Sequence, residues 1–163
     1  VNIGATITSI SVLLGGLTIF TRSIPMGGNQ FTEEIQRQLN ISFKDAEELK
    51  TGKKEAPADA SALPAAIDTV STNLTFEIKR SLDFFLGGNQ GTYVSKIYLS
   101  GGGSKVAGLQ NLMQEKTAIP VESANPFKNI EIKTKAAAAE TLKDIAPFFG
   151  VAVGLATRRF ADR

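Results

Sequence analysis

The stretch Ile97 to Leu109, "IYLSGGGSKVAGL", decides how the rest of the chain is read. An apolar run ends in three consecutive glycines, and the pattern after them predicts a helix from Ser104 to about Lys116. Where a strand opens onto a helix, free backbone N–H groups sit beside the positive end of the helix dipole and favour an anion. Glycine also lets the backbone approach a ligand with no Cβ in the way. The spacing is neither GxxxxGK(S/T) nor GxGxxG, because Val106-Ala107 precede Gly108. Two readings therefore stand for Gly101, Gly102 and Gly103: a cradle for a phosphate or nucleotide, or a tight turn between two elements.

The 163 residues suffice for one core, or for two small subdomains sharing one. Eighteen basic and sixteen acidic residues leave a net charge of +2 with no basic stripe, which argues against nucleic acid as a partner. Without cysteine there is no disulfide, thiol nucleophile or thiolate zinc site. Without histidine the commonest general base and metal ligand are missing. A metal, if used, would be a hard cation held by oxygens. The longest apolar run, Ile145 to Ala156, falls short of the roughly 20 residues that cross a bilayer. The opening "VNIGATITSI" starts inside a strand pattern without a methionine, so the chain is expected to be a fragment.

Outward from the triplet, "ATITSISVLL" and "LTIFTRSI" flank Gly15-Gly16 and predict a β-hairpin. Gly27-Gly28-Asn29 lead into a helix carrying Phe31, Ile35 and Leu39, with Asn29 or Thr32 as cap. Ser42 and Asp45 predict a capped second helix. The polar stretch around 52–62 reads as a loop. Pro64 then opens a long helix with the core stripe Leu63, Ile67, Val70, Leu74, Ile78, Leu82 and Phe85. "YVSKIYLS", Tyr93 to Ser100, and "IPVES", Ile119 to Ser123, read as strands. "AAAAETLKDIA" and "PFFGVAVGLATRR" read as helix broken or restarted at Pro147, with Arg158-Arg159 offsetting the dipole at its end.

Other candidate residues carry two readings each. Gly4, Ala5 and Thr6 form either a hairpin whose amides and hydroxyl face a phosphate or an ordinary strand with a glycine bulge. Gly27 and Gly28 mark a turn or a close approach to a ligand. Glu47 and Lys50, one helical turn apart, read most simply as a solvated ion pair.

Taken in order, these stretches resemble the actin-like ATPase superfamily. "VNIGATITSI" is similar to its phosphate-2 hairpin, "PMGGN" to the glycine pair that follows, "AEELKTG" to the A-E-x-x-K helix and "IYLSGGGSKVAGL" to the adenosine motif. "TRSIPMGGNQFTEEIQ", "ISFKDAEELK" and "EIKRSLDFFL" resemble the PilM family of type IV pilus assembly. The cell-division protein FtsA shares the motif order but less of these strings.

The resemblance implies an α/β, ribonuclease-H-like actin-type domain, the second of two. Its sheet-containing subdomain would be 1–24 and 91–163, and residues 25–90 a mostly helical insertion. It implies ATP or ADP as ligand with Mg2+ in the full-length protein. Gly4, Ala5 and Thr6 would line the phosphates, Gly27 and Gly28 would sit beneath the nucleotide, and Glu47 and Lys50 would flank ribose and base. Gly101, Gly102 and Gly103 would carry the adenosine, with Ser104 and Lys105 at its edge. Asn2 stands where the family has aspartate, so a metal contact would run through water. The phosphate-1 loop would belong to a first domain preceding Val1. The expectation is thus half a nucleotide site, with no catalytic residue and no turnover in this chain alone.

As partners the resemblance implies the cytoplasmic tail of PilN, held mainly by the first domain, other inner-membrane pilus platform proteins, and self-association. It places such a protein in the bacterial cytoplasm, peripheral to the inner membrane, in a scaffold for pilus assembly and twitching motility whose nucleotide acts as a switch. Alternatives are an FtsA-like cell-division protein, a sugar or acetate kinase relative, and a nucleotide-independent interaction module. The kinase reading needs an acidic base near the phosphate hairpin, and none stands within Val1 to Ser23.

Overall fold

Thr8–Leu14 (β2) and Leu17–Ile24 (β3) form the expected antiparallel hairpin. Gly15 and Gly16 both have positive φ (58° and 83°), the two-residue turn whose twist matches a hairpin. The register slips after Val12, which pairs with Phe20 while Leu13 pairs with Thr18, so Ile19 is the extra, bulged residue. The computed structural model describes residues 1–55, 61–131, 142 and 145–158.

A short strand, Asn2–Ile3 (β1), pairs antiparallel with β2. Ile97–Leu99 (β4) pairs parallel with Val121–Ser123 (β5). The two sheets are stitched by a parallel bridge between Asn2 and Ser100. There the Ile3 N–H donates to the Ser100 carbonyl and the Ser100 N–H to the Val1 carbonyl, both at 2.8 Å. The spatial order is therefore β3-β2-β1-β4-β5, which brings the loop after β1 beside the glycine triplet after β4.

Between β3 and β4 the described elements are helices: Gly28–Leu39 (α1), Phe43–Lys50 (α2) and Leu63–Gly88 (α3). In α3, Pro64 sits in the first turn, where its missing N–H costs nothing, and no glycine interrupts the helix before Gly87. Its predicted stripe is the core: Val70, Leu74, Ile78, Leu82 and Phe85 are buried, and Leu63 and Ile67 are packed at the margin. Leu74 and Ile78 have no exposed surface, on the order of 2 kcal/mol of burial each. They meet Ile3, Ile10, Ile24, Leu99, Leu109 and Met113 from the sheet side and from Leu109–Thr117 (α4). A second, smaller cluster of Ile35, Ala46, Leu49 and Ala66 clamps α2 between α1 and the start of α3.

Several predicted boundaries shift. The strand expected over Tyr93–Ser100 is regular only over Ile97–Leu99, because β5 offers three partner residues and Tyr93 stands 80% exposed. "IPVES" likewise narrows to Val121–Ser123. The helix expected from Ser104 starts at Leu109. A 3-10 turn, Gly102–Lys105, comes first, then Val106 is extended and Gly108 takes φ +80°, which ends any continuous helix. The α1 cap is neither Asn29 nor Thr32: the Gln30 side chain accepts the Gly27 N–H at 2.6 Å. Ser42 does cap α2, accepting the Asp45 N–H at 3.1 Å. Pro147 lies in a 3-10 turn, Ala146–Phe148, and the helix restarts as Gly150–Thr157 (α5). The predicted helix "AAAAETLKDIA", part of the 52–62 loop and Arg159 lie largely or wholly outside the described residues. Among the described residues no helix is long and apolar enough to cross a membrane.

Candidate functional site

Gly28 is where separate candidate stretches meet. A Cβ built on it would lie 3.5 Å from the Gly4 carbonyl oxygen, 3.6 Å from Lys50 Nζ and 4.0 Å from Gly103 Cα. The loop after β1, the α2 lysine and the glycine triplet, distant in sequence, thus meet at one buried glycine.

The loop after β1 is tied to the start of α1. The Gly28 N–H donates to the Gly4 carbonyl at 2.8 Å and the Asn29 N–H to the Ala5 carbonyl at 2.7 Å. The Gly4 N–H closes its own loop on Ile7 at 3.0 Å. The first amides of α1, which the helix dipole would offer to an anion, are therefore already occupied by this loop. Gly27 is demanded by the contact itself: a Cβ there would meet the Gly4 and Ala5 carbonyl oxygens at 2.6 and 2.7 Å. Ala5 and Thr6 stand exposed at the loop tip.

The triplet's glycines each have a reason within the chain. Gly101 has φ +82°, and a Cβ on it would strike the Ile3 carbonyl and stand 2.7 Å from Asn2 Oδ1. Its N–H donates to the Pro147 carbonyl at 2.9 Å. A Cβ on Gly102 would meet the Phe148 ring edge at 3.0 Å, and one on Gly103 would strike the Ile3 side chain. The structure thus supplies internal reasons for all three glycines, and buried Gly103 packs beside Gly28. The Ser104 hydroxyl donates to the Gly101 carbonyl at 2.7 Å, and Lys105 ends the turn, exposed. Asn2 Oδ1 accepts the Ser100 hydroxyl at 3.3 Å.

Glu47 and Lys50 depart from the simple reading. They do form an ion pair, 2.6 Å between Lys50 Nζ and Glu47 Oε2, but only 9% of the lysine side chain is exposed. Its three donors reach Glu47 Oε2, Thr32 Oγ1 at 3.0 Å and the Gly28 carbonyl at 3.1 Å. The pair is a clasp between α2 and the first turns of α1, not a solvated surface contact. The second apolar cluster explains it: Ala46 and Leu49 face inward, which aims their neighbours Glu47 and Lys50 at α1. Burial pushes the Glu47 carboxyl up. The hydrogen bonds from Lys50 and Thr32, with the charges of Lys50 and Lys53, outweigh that and hold it below the usual carboxylate range.

Thr32 is the functional candidate that sequence patterning missed. It falls in the inward stripe between Phe31 and Ile35, where a hydroxyl is out of place without a buried partner. A concavity of about 630 Å3 lies elsewhere, between β2 and residues 91–98. Gly28 itself is buried, and the exposed rim around it is formed by Ala5, Thr6 and the half-exposed Glu47 side chain.

A family model described as type IV pilus assembly protein PilM matches residues 1–160. Among solved structures, the chain is similar to one described as the PilM-PilN type IV pilus biogenesis complex. Identity is 35% and the TM-score 0.79, over 94% of this chain and 43% of that one. It is also similar to the ethanolamine utilization protein EutJ from Carboxydothermus hydrogenoformans, at 18% identity and TM-score 0.65 over 95% of this chain and 46% of that one. A non-polymerising mutant of MamK bound to AMPPNP aligns at 21% identity and TM-score 0.62, over 76% of this chain and 48% of that one. The last two show the fold alone, which is that of the actin-like ATPases. The chain spans less than half the length of each of these relatives.

Proposed function

The chain belongs to the PilM family of type IV pilus assembly proteins, and from that premise we propose that it is the second-domain half of an actin-like scaffold whose nucleotide cleft lies between two domains. Its sheet subdomain comprises 1–24 and 91–163, and its helical insertion 25–90. ATP or ADP lies over the exposed rim of the junction at Gly28, where Ala5, Thr6 and Glu47 reach the surface. The observation that carries this reading is the convergence of the Gly4 carbonyl, Lys50 and Gly103 on that one position. A nucleotide-bound relative of the same fold supports it. The adenosine end meets Gly101, Gly102, Gly103, Ser104 and Lys105. Glu47 and Lys50 border the ribose and base, Gly27 and Gly28 lie beneath them, and Gly4, Ala5 and Thr6 flank the phosphates.

The described residues gather no cluster of acidic side chains that could hold a metal ion. A magnesium ion would be carried by phosphate oxygens and water, with Asn2 Oδ1 as a hydrogen-bond partner and no direct protein ligand. That donor set supports binding, and no hydrolytic step is assigned to this chain. Nucleotide serves as a switch: its binding across the cleft would fix the angle between the two domains, and with it the surface offered to PilN and other inner-membrane platform proteins. The protein acts in the cytoplasm, peripheral to the inner membrane through those partners.

The test is calorimetric titration of AMPPNP with magnesium into this chain and into the full-length two-domain protein. Tight binding only by the longer protein supports a split cleft. Equal tight binding by both, or none by either, contradicts it. A second reading, a nucleotide-independent interaction module, draws on the internal reasons found for all three triplet glycines, and it is the reading left if neither protein binds.

A further inference from the structure

We propose that Thr32 is a positioning residue of the candidate nucleotide site, holding the Glu47 carboxylate and the Lys50 ammonium in the arrangement that a ligand meets. The proposal deepens the nucleotide reading above and rests on it.

Thr32 lies in α1, one turn beyond Gly28, with no exposed surface. A helical threonine ordinarily turns its hydroxyl back on the carbonyl four residues earlier. Here that contact, to Gly28, is 3.4 Å, whereas Glu47 Oε2 stands at 2.5 Å. The single hydroxyl proton therefore goes to the carboxylate, and a lone pair of the same oxygen accepts Lys50 at 3.0 Å. Valine would fill nearly the same volume without burying a polar atom. The hydroxyl's two shortest bonds are thus those to the pair it holds.

The consequence is a division of labour on α2. All three Lys50 donors are taken, by Glu47, Thr32 and the Gly28 carbonyl. Glu47 Oε2 receives both the lysine and the threonine, which leaves Oε1, on a side chain 42% exposed, without a hydrogen-bond partner among the described residues. Lysine and threonine together set the carboxylate's rotamer, so a ligand meets an acceptor already fixed in place and the ordering cost of binding falls. Thr32 does this without reaching the ligand.

The experiment compares T32V and T32S with wild type in the full-length protein. Three quantities are measured: AMPPNP affinity by calorimetry, thermal midpoint, and the titration of the Glu47 side-chain carboxyl by carbon-detected NMR. T32V is expected to weaken AMPPNP about fivefold to tenfold, the loss of one charge-assisted hydrogen bond's positioning. It should also raise the Glu47 titration midpoint towards the ordinary value. T32S is expected to restore both and to melt close to wild type, while T32V melts a few degrees lower because a Lys50 donor loses its acceptor. An unchanged Glu47 midpoint in T32V, or unchanged affinity where wild type binds, overturns the role of Thr32 alone. Failure of wild type to bind AMPPNP overturns the nucleotide reading itself, and this proposal with it.

Discussion

Replacing Gly27 with alanine isolates the contact that ties the β1–β2 loop to α1. Gly27 has φ −164°, extended backbone open to any residue, so only space opposes the change. The added methyl would stand 2.6 Å from the Gly4 carbonyl oxygen, 2.7 Å from that of Ala5 and 2.8 Å from the Ala5 carbonyl carbon. All three are backbone atoms, so relief requires the loop and helix to part. Parting them lengthens the bonds from Gly28 N–H to Gly4 and from Asn29 N–H to Ala5, worth about 1 kcal/mol each. Overpacking strain adds about 1–2 kcal/mol. Gly27→Ala should therefore destabilise the fold by about 3–4 kcal/mol, a large share of a typical domain's stability. Urea unfolding followed by circular dichroism reads this as a lowered midpoint at unchanged slope. Gly28→Ala is the control, since its methyl meets nothing nearer than 3.5 Å, and its stability should stay within about 1 kcal/mol of wild type. Equal stability of wild type and Gly27→Ala would refute the close approach on which the site's geometry depends.

Gly103→Ala should cost about 1–3 kcal/mol in the same assay, because its methyl is driven into the fully buried Ile3 side chain. Lys50→Met removes the charge but keeps the stem. It should lower stability by about 1–2 kcal/mol through loss of the ion pair to Glu47 and of the bonds donated to Thr32 and the Gly28 carbonyl, seen as a drop in thermal midpoint. The pH profile follows from Glu47, whose folded pKa lies below its ordinary value of 4.5. A depressed carboxyl contributes stability that is complete above about pH 4.5 and is lost as pH falls through the folded value. Urea midpoints should therefore decline on acidification below that point, and Lys50→Met should decline less steeply.

Much of this architecture can be read from local pattern. The long α3 stripe repeats at helical spacing over 26 residues, and burial follows from that spacing alone. Gly15-Gly16 between β-branched runs announces its own turn. What patterning missed depends on partners distant in sequence. β4 is short because β5 offers it three residues, and Tyr93 carries no sign of that. Lys50 looks like any helix-surface lysine until α1 arrives over it, and Thr32 looks like a cap until its hydroxyl finds Glu47. The glycine triplet was legible as special but not as to cause, since Ile3 and Phe148 supply internal reasons that resemble those of a ligand.

The most direct test of the nucleotide face uses the one buried glycine that the converging groups share. In the full-length protein, AMPPNP should be titrated calorimetrically into wild type and Gly28→Ala, with urea unfolding run alongside. Near-equal stability and at least tenfold weaker binding by Gly28→Ala are expected, because the methyl would fill the space shared by Gly4, Lys50 and Gly103 and displace the groups that meet the ligand. Undiminished binding by that variant would contradict this reading of the site.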